Sequence, residues 1–163
     1  MAQSSLYIRG AGVSAESGIP TFCGSGGFWT VGSKNFTPQE MATRQMYLSY
    51  PEEFLLWYYQ RFASHRHVQP NEVHHWLSDK NLITQNIDGL DDKAGNHTYI
   101  PIHGRLDKLI RYDDELKYQE PIDAQWEEID KKLDDKQLSI QLLKKFKISK
   151  INGILKPELG VSL

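Results

Sequence analysis

Three polar side chains follow directly on a short apolar stretch in the string "ITQNIDGL", residues 83–90. Gln85, Asn86 and Asp88 therefore stand where a buried strand would leave its sheet. In a parallel sheet, the carboxyl ends of the strands border the crevice in which such folds bind ligands. The three residues are candidates for a ligand site on that ground. The alternative is a tight turn in which Asn86 and Asp88 bond their own backbone before Gly89.

A glycine turn near the amino end supplies a second candidate. The string "GAGVSA", residues 10–15, matches G-x-G-x-x-A and follows the brief apolar run of residues 6–8. Glycines at this spacing permit a tight turn and let backbone N–H groups approach a diphosphate. A conventional NAD dehydrogenase also needs an acidic residue about 20 positions on for the ribose hydroxyls, yet none occurs between Glu16 and Glu40. The pattern favours a dinucleotide and disfavours hydride transfer.

The elements that must position these residues alternate between strand and helix. Short apolar runs predict strands at residues 6–8, 81–84 and 97–102. Capping and periodicity signals predict three helices: one from the capping box at Thr37 toward Tyr47, one through "PEEFLLWYYQRFASH" from Pro51, and one over "EVHHWLSD" behind Asn71. This alternation predicts an α/β fold with a Rossmann-like parallel sheet and helices on both faces.

Length and composition narrow the class of protein. The chain has 163 residues, enough for one main domain, and a formal net charge of -2. That balance favours neither a nucleic-acid nor a membrane partner. A single cysteine, Cys23, excludes an intramolecular disulfide and any thiolate zinc cluster. With no targeting segment and no run of the roughly 20 apolar residues that cross a bilayer, a soluble cytoplasmic protein is expected.

The chain changes character near residue 104. Residues 1–104 hold 16 charged residues, whereas residues 105–163 hold 24. We therefore predict a Rossmann-like portion over residues 1–104 and a charged, mostly helical segment over residues 105–163 that leads back to it. An amphipathic helix in the second segment is predicted from apolar residues at helical spacing behind Asp123: Ile122, Trp126, Ile129 and Leu133.

Three motifs in order resemble the sirtuins, the NAD-dependent protein lysine deacylases: "GAGVSAESGIPTFCGSGGFW" at 10–29, "TQNIDGL" at 84–90 and "HG" at 103–104. The resemblance implies a catalytic domain in which a bound acyl-lysine attacks the ribose carbon of NAD as nicotinamide leaves. It also implies cofactor-binding positions at Gly10, Ala11, Gly12, Ser14, Ala15, Pro20, Phe22, Gln85, Asn86, Ile87 and Asp88. In this scheme the glycine loop holds the diphosphate, and Phe22 lies over the reacting ribose. Gln85 meets the nicotinamide ribose, while Asp88 and the backbone of Ile87 bind the carboxamide.

The reaction also needs a base, because a ribose hydroxyl must lose its proton near neutral pH. Histidine is the side chain whose ordinary pKa suits that task, and the motif match indicates His103 as the catalytic residue. The alternative is a structural histidine at a strand end. The other five histidines lack comparable neighbours, and their spacing indicates no metal site.

A finer prediction concerns the acyl group. Tyr58 and Arg61 are three residues apart on one helix and resemble the Y-x-x-R pair of sirtuins that prefer acidic acyl chains such as succinyl. An arginine fork matches a carboxylate well. The alternative is an ordinary aromatic core stripe that ends in a solvated arginine.

The chain also departs from the sirtuin pattern. Cys23 stands where most sirtuins carry arginine, and Asp91 replaces the usual histidine after "DGL". Sirtuins generally present four zinc cysteines beyond the position of His103, and this chain has none there, so no zinc is expected. The resemblance covers roughly the first two thirds of a sirtuin catalytic domain. Either the chain is a shortened member or residues are missing from the sequence.

The leading hypothesis is an NAD-dependent lysine deacylase that acts on an acyl-lysine protein or peptide. A second reading keeps NAD cleavage but replaces lysine by water or another acceptor, which gives an NAD hydrolase or an ADP-ribosyltransferase. A third reading is a degenerate NAD-binding or interaction module without catalysis. The sequence contains no sign of the oligomeric state.

Overall fold

The structure is a computed structural model. It describes residues 5–21, 35–61, 65–111, 120–124, 126–130, 132–146, 148–151, 154–157 and 159–162. For residues 61 and 111 and for those after 146, it describes the backbone alone. The predictions for Phe22 and Cys23 lie outside the described residues.

A three-stranded parallel sheet forms the first half of the chain. Its strands are β1 (Leu6–Arg9), β2 (Asn81–Thr84) and β3 (Ile100–Pro101), in the order β1-β2-β3. Arg9 is in register with Thr84, and Thr84 with Pro101. The carboxyl ends of all three strands therefore meet at one edge. This arrangement confirms the predicted α/β fold with a parallel sheet, and it puts the polar residues after each strand side by side.

Within the described residues, six helices accompany this sheet. They are α1 (Gly12–Ala15), α2 (Pro38–Met41), α3 (Arg44–Ser49), α4 (Pro51–Arg61), α5 (Glu72–Trp76) and α6 (Leu90–Lys93). In the part of the chain that the structure describes, no helix is long and apolar enough to cross a membrane.

The helix predicted from Thr37 toward Tyr47 is split in two. Its start is confirmed, because the Thr37 hydroxyl accepts from the Glu40 amide and the Glu40 carboxylate accepts from the Thr37 amide. The first helix ends at Met41, and α3 begins anew behind Thr43, whose hydroxyl accepts from the Met46 amide at 3.1 Å. A threonine side chain that bonds nearby backbone competes with the helical ladder, and here it starts a second helix.

The segment after residue 104 contains more strand than predicted. An antiparallel sheet of order β5-β4-β8 comprises β4 (Arg105–Arg111), β5 (Ile122–Asp123) and β8 (Leu159–Ser162). A hairpin of β6 (Ile148–Ile151) and β7 (Ile154–Pro157) lies beside α7 (Asp135–Lys145). The expected mostly helical segment is therefore a mixture in which strands predominate. Its charged residues broke the apolar alternation by which strands are recognised in a sequence.

The prediction of an amphipathic helix over residues 122–133 was wrong. Ile122 pairs with Leu109 in the antiparallel sheet, and only Trp126–Glu128 form a short 3₁₀ turn. The Asp130 carboxylate accepts from the Lys132 amide at 2.9 Å, and this side-chain bond to the backbone opposes helix continuation. The apolar spacing that suggested a helix instead reflects core burial, since Trp126 and Ile129 are both buried.

The core joins the two parts of the chain around α4. Phe54, Leu55 and Tyr59 on this helix are buried together with Leu142 and Phe146 from the α7 end. Trp126 lies between the two helices, with ring centroids 6.1 Å from Tyr59 and 5.2 Å from Phe146. The Trp126 indole N–H donates to the Leu106 carbonyl at 2.8 Å. The charged segment is thus held by aromatic packing.

We predict that Leu142→Ala lowers the free energy of unfolding by about 2–5 kcal/mol, because the side chain is fully buried between helices and its loss leaves a cavity. Ile140→Ala, two residues away on the same helix, is the matched control, since Ile140 is 60% exposed. Chemical denaturation of both variants measures the difference. Equal losses would show that the α4–α7 packing described here is incorrect.

Candidate functional site

Residues that follow the three parallel strands come together at the sheet edge, as the sequence predicts. The Gln85 amide donates to the Arg9 carbonyl at 3.1 Å, and the Ile102 amide donates to the Thr84 carbonyl at 3.0 Å, which extends the strand pairing past each end. A Cβ atom added to Gly10 would lie 3.4 Å from the Gln85 side-chain oxygen. The absence of a side chain at Gly10 therefore allows the first loop to approach the second.

A hydrogen-bonded cluster connects the glycine loop to the "QNID" string. The Ser14 hydroxyl donates to Asp88 Oδ2 at 2.7 Å. The Asn86 side-chain amide donates to Ser14 Oγ and to Asp88 Oδ2, both at 2.9 Å. Ser14 and Asn86 are buried. Three residues predicted as cofactor contacts from two distant motifs thus form one buried polar unit.

The turn that we considered as an alternative is present as well. Asp88 Oδ1 accepts from the Leu90 amide at 2.9 Å, so one carboxylate oxygen shapes the turn while the other joins the cluster. Gly89 occupies the left-handed region at φ 71°, and α6 begins directly after it. For Asp88 the two interpretations are therefore complementary.

An arginine that sequence reasoning missed lies beneath this cluster. Arg9, the last residue of β1, is 6% exposed. Its Nε donates to both oxygens of Asp91 at 3.0 Å, its Nη1 donates to Ser14 Oγ at 3.1 Å, and its Nη2 lies 3.6 Å from Asp88 Oδ1. Burial raises the pKa of the Asp91 carboxyl, and the Arg9 contacts oppose that effect. The sequence does contain a signal for this residue, because an arginine at the end of an apolar strand is expected to be buried. A buried cation in turn requires a buried acidic partner.

A buried histidine supports the cluster from α5. Asn71 caps this helix and also donates from its side chain to the Val13 carbonyl at 2.7 Å, which joins α5 to α1. His74 is fully buried, and its Nε2 lies 3.4 Å from Ser14 Oγ. Burial, together with the nearby charge of Arg9, lowers the pKa of His74 to about 4. His74 is therefore neutral at physiological pH.

A cleft opens above the cluster. Six of the residues predicted to bind the cofactor line it: Ala11, Ser14, Pro20, Asn86, Ile87 and Asp88. The lining also includes His65, Arg66, Leu106, Asp107 and Trp126. Gly10, Gly12, Ala15 and Gln85 lie outside this lining. His103 also lies outside it, exposed two residues beyond the end of β3.

One acceptor in the cleft wall is unsatisfied. Asn86 Oδ1 is buried and has no hydrogen-bond partner among the described residues, although the amide nitrogen of the same side chain makes two bonds. A buried polar atom without a partner costs roughly 1–3 kcal/mol. Any N–H or O–H donor that reached this oxygen would remove that cost.

Of the two residues predicted to select the acyl chain, the structure describes the side chain of Tyr58 alone. Tyr58 is 3% exposed and stacks on Phe54 with ring centroids 4.4 Å apart, and burial raises its pKa. Tyr58 therefore belongs to the aromatic core, as the alternative interpretation held. The side chain of Arg61 lies outside the described residues, and a role for the pair in acyl selection stays a prediction.

Among the described residues, no three histidine, cysteine, aspartate or glutamate side chains are grouped so that they could hold a metal ion.

The sequence matches the model of the Sir2 family over residues 10–160. It is 41% identical over 113 residues to NAD-dependent protein deacylase 1 of Archaeoglobus fulgidus. This match covers 65% of this chain and 44% of that relative. It is also 39% identical over 111 residues to an NAD-dependent protein deacylase of Aquifex aeolicus. That match covers 64% of this chain and 45% of the relative. The chain thus spans less than half the length of these relatives.

The fold of this chain is similar to those of solved Sir2 homologues. A mutant Sir2 homologue in complex with ADP-ribose superposes with a TM-score of 0.63 at 29% identity, covering 96% of this chain and 58% of that one. A Sir2 homologue in complex with NAD gives a TM-score of 0.60 at 30% identity, covering 94% and 56%. The parallel sheet, the polar cluster and the extent of the family match lead to one conclusion. The chain belongs to the Sir2 family.

We predict that stability falls with acidification because of His74. Its pKa is about 4 in the folded protein and 6.5 in the unfolded chain, so the unfolded state takes up the proton first. The stability that the neutral imidazole contributes is complete above pH 6.5 and is lost as the pH falls from 6.5 toward 4. The loss over this whole range is on the order of 3 kcal/mol.

Denaturation between pH 7 and 4.5 measures this effect in the wild type, in His74→Gln and in His75→Gln. His75 is the matched control, because it is the exposed neighbour on the same helix. The pH slope should be shallower in His74→Gln alone. A slope that is identical in all three proteins would remove His74 as its cause.

Proposed function

We propose that the protein is an NAD-dependent protein lysine deacylase, which cleaves NAD to nicotinamide and transfers the acyl group of a lysine side chain to ADP-ribose. The observation that carries this proposal is the buried cluster of Ser14, Asn86 and Asp88 at the wall of the cleft. The deacylase relatives support the reaction class. Since the chain spans less than half of those relatives, the whole activity belongs to the proposal.

The residues of the cleft fit the carboxamide end of NAD. A carboxamide offers two N–H donors and one carbonyl acceptor. Asn86 Oδ1 is an unpaired buried acceptor, and Asp88 Oδ1 retains an acceptor position beside its bond from Leu90. The Ile87 carbonyl already accepts from the Leu106 amide at 2.8 Å. We therefore assign the donor role of Ile87 to its backbone N–H.

Bound NAD supplies a glycosidic bond to a cationic leaving group, and cleavage of such a bond builds positive charge on the ribose. The protein contributes orientation and an electrostatic environment. The carboxylate of Asp88 and the amide of Asn86 hold the leaving carboxamide. Apolar groups of Ile19 and Trp126 in the cleft lining exclude water from it.

His103 is the proposed base for a ribose hydroxyl. It follows β3 at the same sheet edge as Gln85, which follows β2, and its imidazole is exposed to solvent. An exposed imidazole can exchange a proton with water after it has taken one from substrate. We propose that the acyl-lysine enters from this side. A preference for acidic acyl chains through Arg61 is a further element of this proposal.

We predict that Asp88→Asn reduces nicotinamide release from NAD by at least about 100-fold, because it exchanges a charged acceptor for a neutral amide in the site. The assay mixes the protein with NAD and an acetylated or succinylated lysine peptide, and measures nicotinamide. Glu72→Gln, which changes an exposed carboxylate on α5, is the control and should keep wild-type activity.

We further predict that His103→Ala abolishes peptide-dependent release, because it removes the proposed base for the ribose hydroxyl. His75→Ala, at an exposed histidine on α5, should be unaffected. Turnover that survives His103→Ala would remove this residue from its role. Nicotinamide release without peptide would favour the hydrolase or transferase reading, and calorimetry without NAD binding would overturn both enzymatic readings.

A further inference from the structure

The environment of Arg9 contains more than one acid. Its guanidinium donates to Asp91 through Nε and Nη2, to Ser14 through Nη1, and approaches Asp88 Oδ1 to 3.6 Å. All four side chains are at least largely buried, with side-chain exposures of 4% for Arg9, 1% for Asp91 and 11% for Asp88. One buried cation is thus shared between two carboxylates. Of these two carboxylates, Asp88 lines the cleft and Asp91 does not.

The hydrogen bonds at Ser14 fix the direction of its proton. A hydroxyl has one proton to donate and two lone pairs that accept. Arg9 Nη1 and Asn86 Nδ2 both donate to Ser14 Oγ, at 3.1 and 2.9 Å, and so occupy both lone pairs. His74 Nε2 also lies 3.4 Å from Oγ, but Asp88 Oδ2 is much nearer at 2.7 Å and receives the proton. An arginine cannot give up its donor role, because the guanidinium stays protonated in proteins. The hydroxyl is therefore held as a donor toward Asp88.

The same reasoning applies to Asp88. Oδ2 receives the Ser14 hydroxyl and the Asn86 amide, Oδ1 receives the Leu90 amide, and the Arg9 guanidinium lies next to Oδ1. Every one of these neighbours is a donor or a cation, so each of them meets Asp88 as a hydrogen-bond acceptor. A carboxylate in this state only accepts hydrogen bonds, which is what a carboxamide N–H group requires.

We propose that Arg9 is a positioning residue that holds Asp88 as an acceptor for the carboxamide of the nicotinamide group, by directing the Ser14 proton and by supplying the neighbouring positive charge. This inference rests on the proposed function for its ligand. The competing explanation is that Arg9 serves only to neutralise Asp91 and stabilise the fold, with its contacts to Ser14 and Asp88 as by-products.

Removal of Arg9 alone would not separate these explanations, because it would leave Asp91 buried without a partner and destabilise the fold on that ground. The matched pair is therefore Asp91→Asn and the double variant Arg9→Met/Asp91→Asn. Both lack the Asp91 charge, and methionine fills much of the volume of the arginine stem. Thermal unfolding followed by circular dichroism confirms that both are folded before they are compared.

The first measurement needs no ligand. With aspartate labelled at the carboxyl carbon, NMR follows the Asp88 signal as the pH is varied in both variants. We expect the titration midpoint to lie at least about 1 pH unit higher in the double variant than in Asp91→Asn, because a neighbouring cation favours the charged carboxylate by that amount or more. Equal midpoints would overturn the role of Arg9.

The second measurement is the dissociation constant of NAD by calorimetry at pH 7. We expect about tenfold weaker binding by the double variant than by Asp91→Asn. Identical binding by the two variants would mean that Arg9 serves only Asp91. If Asp91→Asn and the wild type bind no NAD while the midpoints differ, the proposed function fails and the effect of Arg9 on Asp88 stands.

Discussion

The burial of one guanidinium constrains the rest of this structure. A charged side chain that is taken out of water costs several kcal/mol unless partners replace the lost solvation. Arg9 finds those partners in Asp91, Asp88 and Ser14, which belong to α6, the turn before it and α1. These elements must therefore assemble together for β1 to take its place. The contacts that compensate the buried charge of Arg9 also bring together the groups that face the cleft.

A second set of contacts reinforces this assembly from outside the sheet. Asn71 bonds both its own helix and the Val13 carbonyl, and His74 packs against Ser14 from the same turn of α5. The neutral imidazole adds no charge to a region that already contains Arg9 and two carboxylates. The site is rigid on this side because its supports lie on regular elements with satisfied caps, a condition that precise ligand positioning requires.

The sequence predicted best those features that arise from local patterns. The parallel strands follow from short apolar runs, the start of α5 from the Asn71 cap, and the candidate cleft residues from two motifs that each span fewer than 25 residues. The Arg9–Asp91 pair was not predicted, because its partners are 82 positions apart and neither residue belongs to a motif by type. The error over residues 122–133 has a related cause. Apolar spacing there reports burial in the core around Trp126, and burial does not determine helix or strand.

The hydrogen bond from the Leu106 amide to the Ile87 carbonyl joins the "QNID" string to the start of strand β4. This single bond lies where the parallel sheet gives way to the antiparallel one. A shift of β4 cannot occur without movement of the backbone beside Asp88, or without breaking this bond. Hydrogen exchange at the Leu106 amide therefore measures how firmly β4 is held against the backbone beside Asp88.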